Sequence, residues 1–219
     1  MRVAIFDFDG TLYAKETFQL MMDHLKNHSV HSRRYRKFYR AIMPPYLGHK
    51  LKIYPEAKMR ARSVQAYLAA LETFSKQELE EYFGEIAELM HDDFNHEVVE
   101  RLKRHVSNDD YCMLVSGAFT PLLHAVTKEL PIKKIIGTEV PYVADVLDHK
   151  TPVVHIQGPL KTEKILEELG DAPVDWQNSY AYGDSLSDVP VLELVGHPVA
   201  VRPEARLRTL ASERNWEII

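Results

Sequence analysis

The sequence predicts an α/β fold in which a parallel sheet carries helices on both faces. Short apolar runs typical of buried strands alternate with segments of helical periodicity, most clearly in the second half of the chain. Polar clusters rich in Asp, Ser and Gly follow three of these strands, at the sheet edge where ligands bind in open parallel sheets. A chain of 219 residues has room for one such core and a sizeable insertion.

The predicted elements occur in a regular order. A strand at residues 2–6 ends in Asp-Phe-Asp-Gly-Thr, and helical periodicity dominates from about residue 18 to residue 90. The later strands are predicted at 111–115, 135–136, 153–156, 179–182, 198–201 and 216–219, and the later helices at 97–105, from 121 onward, at 161–169 and at 203–211. We therefore expect a discontinuous core over residues 1–14 and 91–219 and a helical insertion over residues 15–90.

Within the helical insertion, the pattern predicts several helices. Apolar and aromatic residues share one helix face over residues 35–42. Pro44 and Pro45 are expected to interrupt that helix, because proline lacks the amide hydrogen and clashes with the preceding turn. Ser75 and Glu78 have the spacing of a capping box and predict a new helix that reaches about residue 90.

The composition narrows the class of protein. It is 45% hydrophobic and 27% charged, which is ordinary for a globular chain. No apolar run approaches the roughly 18 residues that span a bilayer, and the first carboxylate, Asp7, comes too early for a secretory signal. The single cysteine, Cys112, rules out an internal disulfide and fits a reducing compartment. These observations predict a cytoplasmic protein.

Four carboxylates are predicted to meet at the carboxyl edge of the sheet. Asp7 and Asp9 end the first strand two positions apart, so their side chains leave on the same side. Asp184 and Asp188 follow a later strand. Carboxylates this close repel each other unless a cation relieves them, and a site with oxygen ligands alone favours Mg²⁺ over zinc. We therefore predict a Mg²⁺ site.

A phosphate group is the ligand that suits the remaining polar residues. Lys161 begins a predicted helix, and Ser116 and Gly117 offer a hydroxyl and backbone amides at a strand end. One carboxylate can attack phosphorus to give an acyl phosphate. A second can protonate the leaving oxygen and then activate the water that cleaves the intermediate. The combination predicts a phosphatase.

As a set and in this order, these motifs resemble the haloacid dehalogenase-like hydrolase superfamily, in particular its phosphoserine phosphatase-like subfamily, IB. The resemblance covers roughly residues 1–16 and 95–219. It implies a Rossmann-like core, an inserted all-helical C1-type cap, Mg²⁺ and a phosphoaspartate intermediate. The residues that it assigns are Asp7 as nucleophile, Asp9 as general acid and base, Thr11, Ser116, Gly117 and Lys161 as phosphate contacts, and Asp7, Asp9 (through its backbone carbonyl), Asp184 and Asp188 as metal ligands.

The resemblance also bears on the substrate. Glu16 stands at the offset where phosphoserine phosphatases carry a glutamate that meets the substrate's amino group. Gly10 departs from the pattern, which usually has serine there. Arg60 and Arg62 are the nearest candidates for contact with a substrate carboxylate. A small phosphorylated metabolite such as phosphoserine, a lysophospholipid and a phosphotransferase reaction all remain open.

A receiver-like domain that is phosphorylated on aspartate without being an enzyme is a further alternative. Receivers also combine acids, a hydroxyl and a lysine on a parallel sheet. Asp9 argues against this alternative, because a second acid beside the phosphorylated one is what a hydrolase needs for rapid turnover. The helical insertion argues against it too.

The helical insertion is strongly basic. Eleven Lys or Arg residues and one acid lie between residues 24 and 62. The basic face is expected to lie in water, to draw anionic substrates toward the site, or to touch anionic lipid. No nucleic acid partner is expected, since no reading module accompanies the charge. The protein is expected to be a monomer or a homodimer, and His24, His28 and His31 are expected to form a solvated helix face rather than a zinc site.

Overall fold

A computed structural model describes the backbone of all 219 residues and the side chains of all but residues 56 and 57. The strands are β1 Val3–Phe6, β2 Tyr111–Phe119, β3 Lys134–Thr138, β4 Tyr142–Val143, β5 Val146–Leu147, β6 Tyr180–Gly183, β7 His197–Ala200 and β8 Glu217–Ile218. The helices are α1 Thr17–Asn27, α2 Ser32–Lys50, α3 Glu56–Ala70, α4 Lys76–Met90, α5 His96–Ser107, α6 Thr120–Val126, α7 Pro159–Leu169, α8 Val189–Leu192 and α9 Ala205–Glu213.

The main sheet is parallel, with the strand order β3-β2-β1-β6-β7-β8. Successive side chains of β1 enter two different hydrophobic clusters, one on each face: Ala4 and Phe6 in the first, Val3 and Ile5 in the second. A strand buried on both faces requires helices on both faces. The predicted α/β fold class is therefore confirmed.

The strand β1 lies in the middle of the sheet, between β2 and β6. The chain continues the strand ladder for one more residue, since the Asp7 amide donates to the Tyr182 carbonyl at 3.0 Å. Residues that follow β1, β2 and β6 therefore meet at one carboxyl edge. This topology sets the position of the functional site.

Helices α1 to α4 follow β1 and make up the predicted helical insertion. Tyr67 of α3 is fully buried, and its hydroxyl donates to the Met21 carbonyl of α1 at 3.1 Å and meets the Tyr82 hydroxyl of α4 at 2.8 Å. The predicted capping box at Ser75 and Glu78 is confirmed at the start of α4. No helix in the described part of the chain has the length and hydropathy needed to cross a membrane.

A short hairpin of the core, β4–β5, is bound to the helical insertion through backbone groups. The Leu147 amide donates to the Phe74 carbonyl at 2.9 Å, and the Lys76 amide donates to the Asp145 carbonyl at 2.7 Å. We call residues 142–153, the hairpin and the loop after it, the strap. Its short strands were not predicted, because each is only two residues long and carries no alternating pattern.

Two sequence-based predictions of secondary structure are wrong. Helix α2 runs through Pro44 and Pro45 instead of ending there. Arg40 and Ala41, whose carbonyls lose their amide donors, are exposed and half-buried residues, so water can reach this part of the helix. Residues 153–156 do not form a strand. Side chains bond their amides instead: Gln65 Oε1 accepts from Val153 N at 3.0 Å, and Thr138 Oγ1 accepts from Ile156 N at 3.4 Å.

Candidate active site

A buried lysine connects two carboxylates at the carboxyl edge of the sheet. Lys161 Nζ donates to Asp7 Oδ1 at 2.5 Å and to Asp188 Oδ1 at 2.7 Å, and the lysine is 4% exposed. Helix α7 delivers it from its first turn, after Gly158 has turned the chain at a φ of 54°. Burial alone would lower the pKa of Lys161, but the carboxylates of Asp188 and Asp7 outweigh it and raise the pKa.

Three carboxylates gather around this lysine. Oxygen atoms of Asp7, Asp184 and Asp188 all lie within 4.8 Å of one another. Burial, followed by the charge of Asp188, raises the pKa of Asp7 above its usual value and that of Asp184 to about 7. The raised pKa values show that the positive charge of Lys161 does not offset the negative charges of three carboxylates. A hard divalent cation fits this donor set, because it would remove the repulsion and every donor is an oxygen.

Asp188 is held more tightly than Asp184. Its Oδ2 accepts from the amide and the hydroxyl of Ser185, at 3.2 and 3.0 Å, while its Oδ1 accepts from Lys161. Asp184 is half-buried and directly follows β6. Asp184 is thus the more exposed of the two, and both oxygens of Asp188 already accept hydrogen bonds. Their roles as metal ligands stay predictions.

Gly10 lies against the carboxylate of Asp184. Its φ is +72°, a conformation that side chains other than glycine rarely adopt, and a Cβ there would collide with Asp184 Cγ and Oδ2. A serine at position 10 would therefore clash with Asp184 in this chain, which explains why glycine stands there.

The side chain of Asp9 lies apart from the group of three carboxylates. Its Oδ1 accepts from the Thr17 amide at 2.9 Å and from the Thr17 hydroxyl. Burial raises the pKa of Asp9 to about 6, against the effect of these hydrogen bonds, and the charge of Glu16 adds to the increase. The structure therefore brings three of the four predicted carboxylates together. The role of Asp9 as metal ligand through its backbone carbonyl stays a prediction.

The predicted phosphate contacts Thr11, Ser116 and Gly117 lie beyond the last paired residues of the neighbouring strands β1 and β2. Thr11 is fully buried, and its hydroxyl has no hydrogen-bond partner among the residues that the structure describes. Ser116 follows β2 residue Val115 and is 1% exposed, and its Oγ accepts from the Ala118 amide at 3.1 Å. The carbonyl of Gly117 accepts from the Thr138 hydroxyl at 2.8 Å. The Thr11 and Ser116 hydroxyls, together with the Lys161 ammonium group, are the groups in this part of the site that can donate to an anion.

The predicted substrate residues are exposed. Glu16 is close enough to raise the pKa of both Asp9 and Asp184, so it stands beside the site. Arg60 of α3 lowers the pKa of His155, a residue that borders Gly117. Arg62 is also exposed, and none of the described contacts joins it to the site.

Comparison with known proteins identifies the family. The sequence model of the haloacid dehalogenase-like hydrolases matches residues 4–193. The chain belongs to this family.

Several curated relatives of this hydrolase are phosphatases by name. A histidinol-phosphatase of Neisseria meningitidis is 28% identical over 70% of this chain and 71% of its own. A phosphoserine phosphatase of Mycobacterium tuberculosis is 30% identical over 54% of this chain. An inhibition of morphological differentiation protein of Streptomyces azureus is 29% identical over 71% of this chain. The chain spans 39% of the Mycobacterium protein and 57% of the Streptomyces protein.

Solved structures confirm the Rossmann-like fold of this hydrolase. A Bordetella pertussis protein of unknown function has a TM-score of 0.82 at 21% identity, over 100% of this chain and 97% of its own. A substrate-bound phosphoserine phosphatase has a TM-score of 0.64 at 16% identity, over 100% and 92%. At these identities the likeness concerns the fold alone.

Two residues at the candidate site were not predicted from the sequence. The amide and the hydroxyl of Thr17 both donate to Asp9. Its position at the start of a predicted helix, next to Glu16, could have indicated such a role in the sequence. His155 lies against Gly117, but it belongs to the segment mistaken for a strand. Nothing local in the sequence marks it as part of the site.

A second group of this hydrolase could hold a metal ion by distance alone: His24, His28 and Glu85. The expectation of a solvated histidine face is wrong, because the side chains of His24 and His28 are only 14% and 11% exposed and their rings pack on Tyr82. His28 Nδ1 accepts from two backbone amides at 3.1 Å. Its proton is therefore on Nε2, which faces Glu85 at 3.0 Å, and this arrangement is a hydrogen bond rather than a ligand set.

Proposed function

We propose that the protein is a Mg²⁺-dependent phosphatase that transfers a phosphoryl group from a small phosphomonoester to Asp7 and then to water. The observation that carries the proposal is the position of Asp7: it ends the central strand, 2.5 Å from a buried lysine and within 4.8 Å of two further carboxylates. Family membership and the phosphatase names of relatives support it.

In the first transfer, an Asp7 oxygen forms a bond to phosphorus while the bond from phosphorus to the leaving oxygen breaks. Lys161 offsets negative charge on the transferred group and holds Asp7 in place through its short hydrogen bond. Ser116 and Thr11 offer hydroxyls to the phosphoryl oxygens. A bound Mg²⁺, held by Asp7, Asp184 and the backbone of Asp9, would supply further positive charge to the same group.

Asp9 gives its proton to the leaving oxygen and then takes one from the attacking water. A pKa of about 6 suits both tasks near neutral pH, since the proton is available in the first step and is accepted in the second. The two hydrogen bonds from Thr17 keep the carboxyl group turned toward the start of α1, where the leaving group would lie.

For the substrate we propose a small phosphorylated metabolite with an amino group. Glu16 supports this choice because it places an exposed carboxylate beside Asp9. The names of the relatives, histidinol-phosphatase and phosphoserine phosphatase, both denote substrates with amino groups. Arg60 is proposed to face a second polar group of the substrate, and residues 15–90 are proposed to act as the cap that closes over it.

The basic surface of α2 favours an accessory role in attracting anions. Arg33, Arg36, Lys37 and Arg40 line an open groove with a volume of about 640 Å³. Lys37 forms an ion pair with Glu72 at 2.5 Å, so the arginines carry most of the unbalanced charge. We propose that this groove draws small anionic substrates or rests weakly on anionic surfaces of the cytoplasm. Reversal of the three arginine charges is expected to raise KM for an anionic substrate and to weaken its salt dependence.

The test of the proposed function is phosphate release from a panel of phosphomonoesters, with and without Mg²⁺, by wild type and Asp7→Asn. We expect release that requires Mg²⁺ and is lost in Asp7→Asn. A matched control is Asp171→Asn, which changes an exposed aspartate just after α7. Undiminished release by purified Asp7→Asn would refute the aspartyl mechanism. Release with acceptor alcohols in preference to water would instead show a phosphotransferase.

A further inference from the structure

The imidazole of His155 forms part of the wall of the proposed phosphate site. A Cβ on Gly117 would lie 2.5 Å from His155 Cε1, so any other residue there would have to displace the ring. Thr138 links the two residues. Its hydroxyl donates to the Gly117 carbonyl at 2.8 Å and lies 3.4 Å from His155 Nδ1.

These contacts fix which nitrogen of His155 carries a proton. The Thr138 hydroxyl donates its only hydrogen to the Gly117 carbonyl. It can therefore only accept a hydrogen bond from His155 Nδ1. Nδ1 therefore carries the hydrogen, and Nε2 is left as an acceptor. Burial, with the positive charges of Arg60 and Lys161, lowers the pKa of His155 to about 4, so the ring is neutral at pH 7.

Contacts on two sides place His155 between the phosphate site and the helical insertion. Its ring lies against Gly117, and Val153, two residues before it, donates its amide to the Gln65 side chain of α3. A neutral ring offers little to a phosphate group, so the leaving group is the part of a substrate that it suits.

Gln65 of α3 holds the loop that presents His155. Its side-chain nitrogen donates to the His149 carbonyl at 2.8 Å and to the Thr151 carbonyl at 3.3 Å, and its oxygen accepts from the Val153 amide at 3.0 Å. One side chain thus satisfies three backbone groups of the strap, the last of them two residues before His155.

We propose that His155 is a specificity-determining residue, whose Nε2 accepts a hydrogen bond from a hydroxyl or amino group of the leaving group, and that Gln65 positions it. This inference rests on the proposed phosphatase activity. It names a contact to the substrate that is absent from the motifs of the sequence.

The test compares two kinds of substrate. O-Phosphoserine, histidinol phosphate and glycerol 1-phosphate carry donors on the leaving group, whereas 4-nitrophenyl phosphate carries none. For His155→Ala we expect the ratio of kcat/KM between the best donor-bearing substrate and 4-nitrophenyl phosphate to fall about 10-fold, mainly through KM. His155→Gln keeps an acceptor and should recover part of the ratio. Gln65→Ala should lower it by about 3-fold, since a loosened loop still carries the ring.

His149→Ala is the matched control, because it removes a histidine from the same loop and leaves the carbonyl that Gln65 binds. We expect the ratio to stay within about 2-fold of wild type. An equal loss on both kinds of substrate in His155→Ala would show that the ring only supports the phosphate site. An unaltered ratio would also overturn the proposal. If His155→Ala does not fold, as judged by circular dichroism, the same kcat/KM ratio is measured for His155→Gln and Gln65→Ala. A ratio equal to that of wild type in both variants then overturns the proposal.

Failure of the phosphatase proposal gives a different result. Wild type would then release phosphate from no substrate, including 4-nitrophenyl phosphate. In that case calorimetry measures the Kd of the same donor-bearing esters for Asp7→Asn and for the double variant Asp7→Asn, His155→Ala. About 10-fold weaker binding by the double variant supports the His155 contact, and equal or undetectable binding by both overturns it.

Discussion

The floor and the rim of the candidate site are built in opposite ways. At the floor, Asp7, Lys161 and Asp188 are almost completely buried and bonded to one another at 2.5 and 2.7 Å. At the rim, Glu16 and Arg60 are exposed, and water screens their charges. The proposed reaction would therefore depend on buried groups that need one another, whereas the proposed substrate contacts are exposed side chains that can change at little cost to the fold.

The largest effect is expected at the floor, from Lys161→Met. Removal of the lysine leaves buried carboxylates without their cation, so activity should vanish and the free energy of unfolding should fall by about 3–5 kcal/mol without Mg²⁺. Urea denaturation with and without Mg²⁺ measures this, and Mg²⁺ should restore part of the loss. Lys164→Met, on the same helix but in an exposed ion pair with Glu167, should cost about 0.5 kcal/mol or less. Equal costs for both variants would contradict the description of the floor.

The next effect concerns Asp9, the proposed proton donor. Asp9→Asn should lower kcat by about 10²–10⁴-fold, the usual contribution of general acid–base catalysis. Thr17→Val should lower kcat less than Asp9→Asn does. The Thr17 hydrogen bonds lower the pKa of Asp9, so removal of the hydroxyl raises it above about 6. The basic limb of the pH–rate profile should then move to higher pH. An unchanged profile would show that Asp9 is not the group that protonates the leaving oxygen.

An intermediate effect is expected from His155 through stability. Its folded-state pKa of about 4 lies below the unfolded value of about 6.5, so its neutral form favours folding above pH 6.5 and this contribution is lost as the pH falls toward 4. The loss at pH 5 is about 2 kcal/mol relative to pH 8. Asp9 and Asp184 have raised pKa values and act in the opposite direction, so the measurement is the difference between wild type and His155→Gln. Parallel stability curves from pH 8 to pH 5 would disprove this prediction.

The smallest effect belongs to the rim. Glu16→Gln should raise KM for an amino-bearing phosphomonoester by about 3- to 10-fold and leave stability within about 0.5 kcal/mol. Kinetics on O-phosphoserine and on 4-nitrophenyl phosphate check the first expectation, and thermal denaturation checks the second. A loss of the same size on both substrates would assign Glu16 to the reaction instead, and would weaken the contrast between floor and rim.

The floor was predictable from the sequence, whereas the contacts of His155 and Gln65 were not. Asp7, Ser116 and Asp184 each follow an apolar run, and the carboxyl ends of parallel strands must meet at one edge. Their assembly therefore follows from local patterns. His155 and Gln65 approach each other only through the tertiary structure, since residues 149–153 lie outside regular secondary structure and bond to the Gln65 side chain of α3. Local patterns also misjudged α2, because tertiary packing of this helix, with Phe38 fully buried, outweighs the local cost of Pro44 and Pro45.

The strap also has a consequence for exchanging parts between related proteins. Residues 142–153 belong to the core in sequence, yet their backbone bonds to Phe74, Lys76 and Gln65 of the helical insertion. A chimera that replaces residues 15–90 alone would leave these amides and carbonyls facing a foreign surface. A chimera should therefore exchange the insertion together with the strap. These two segments are distant in sequence but depend on each other for their hydrogen bonds.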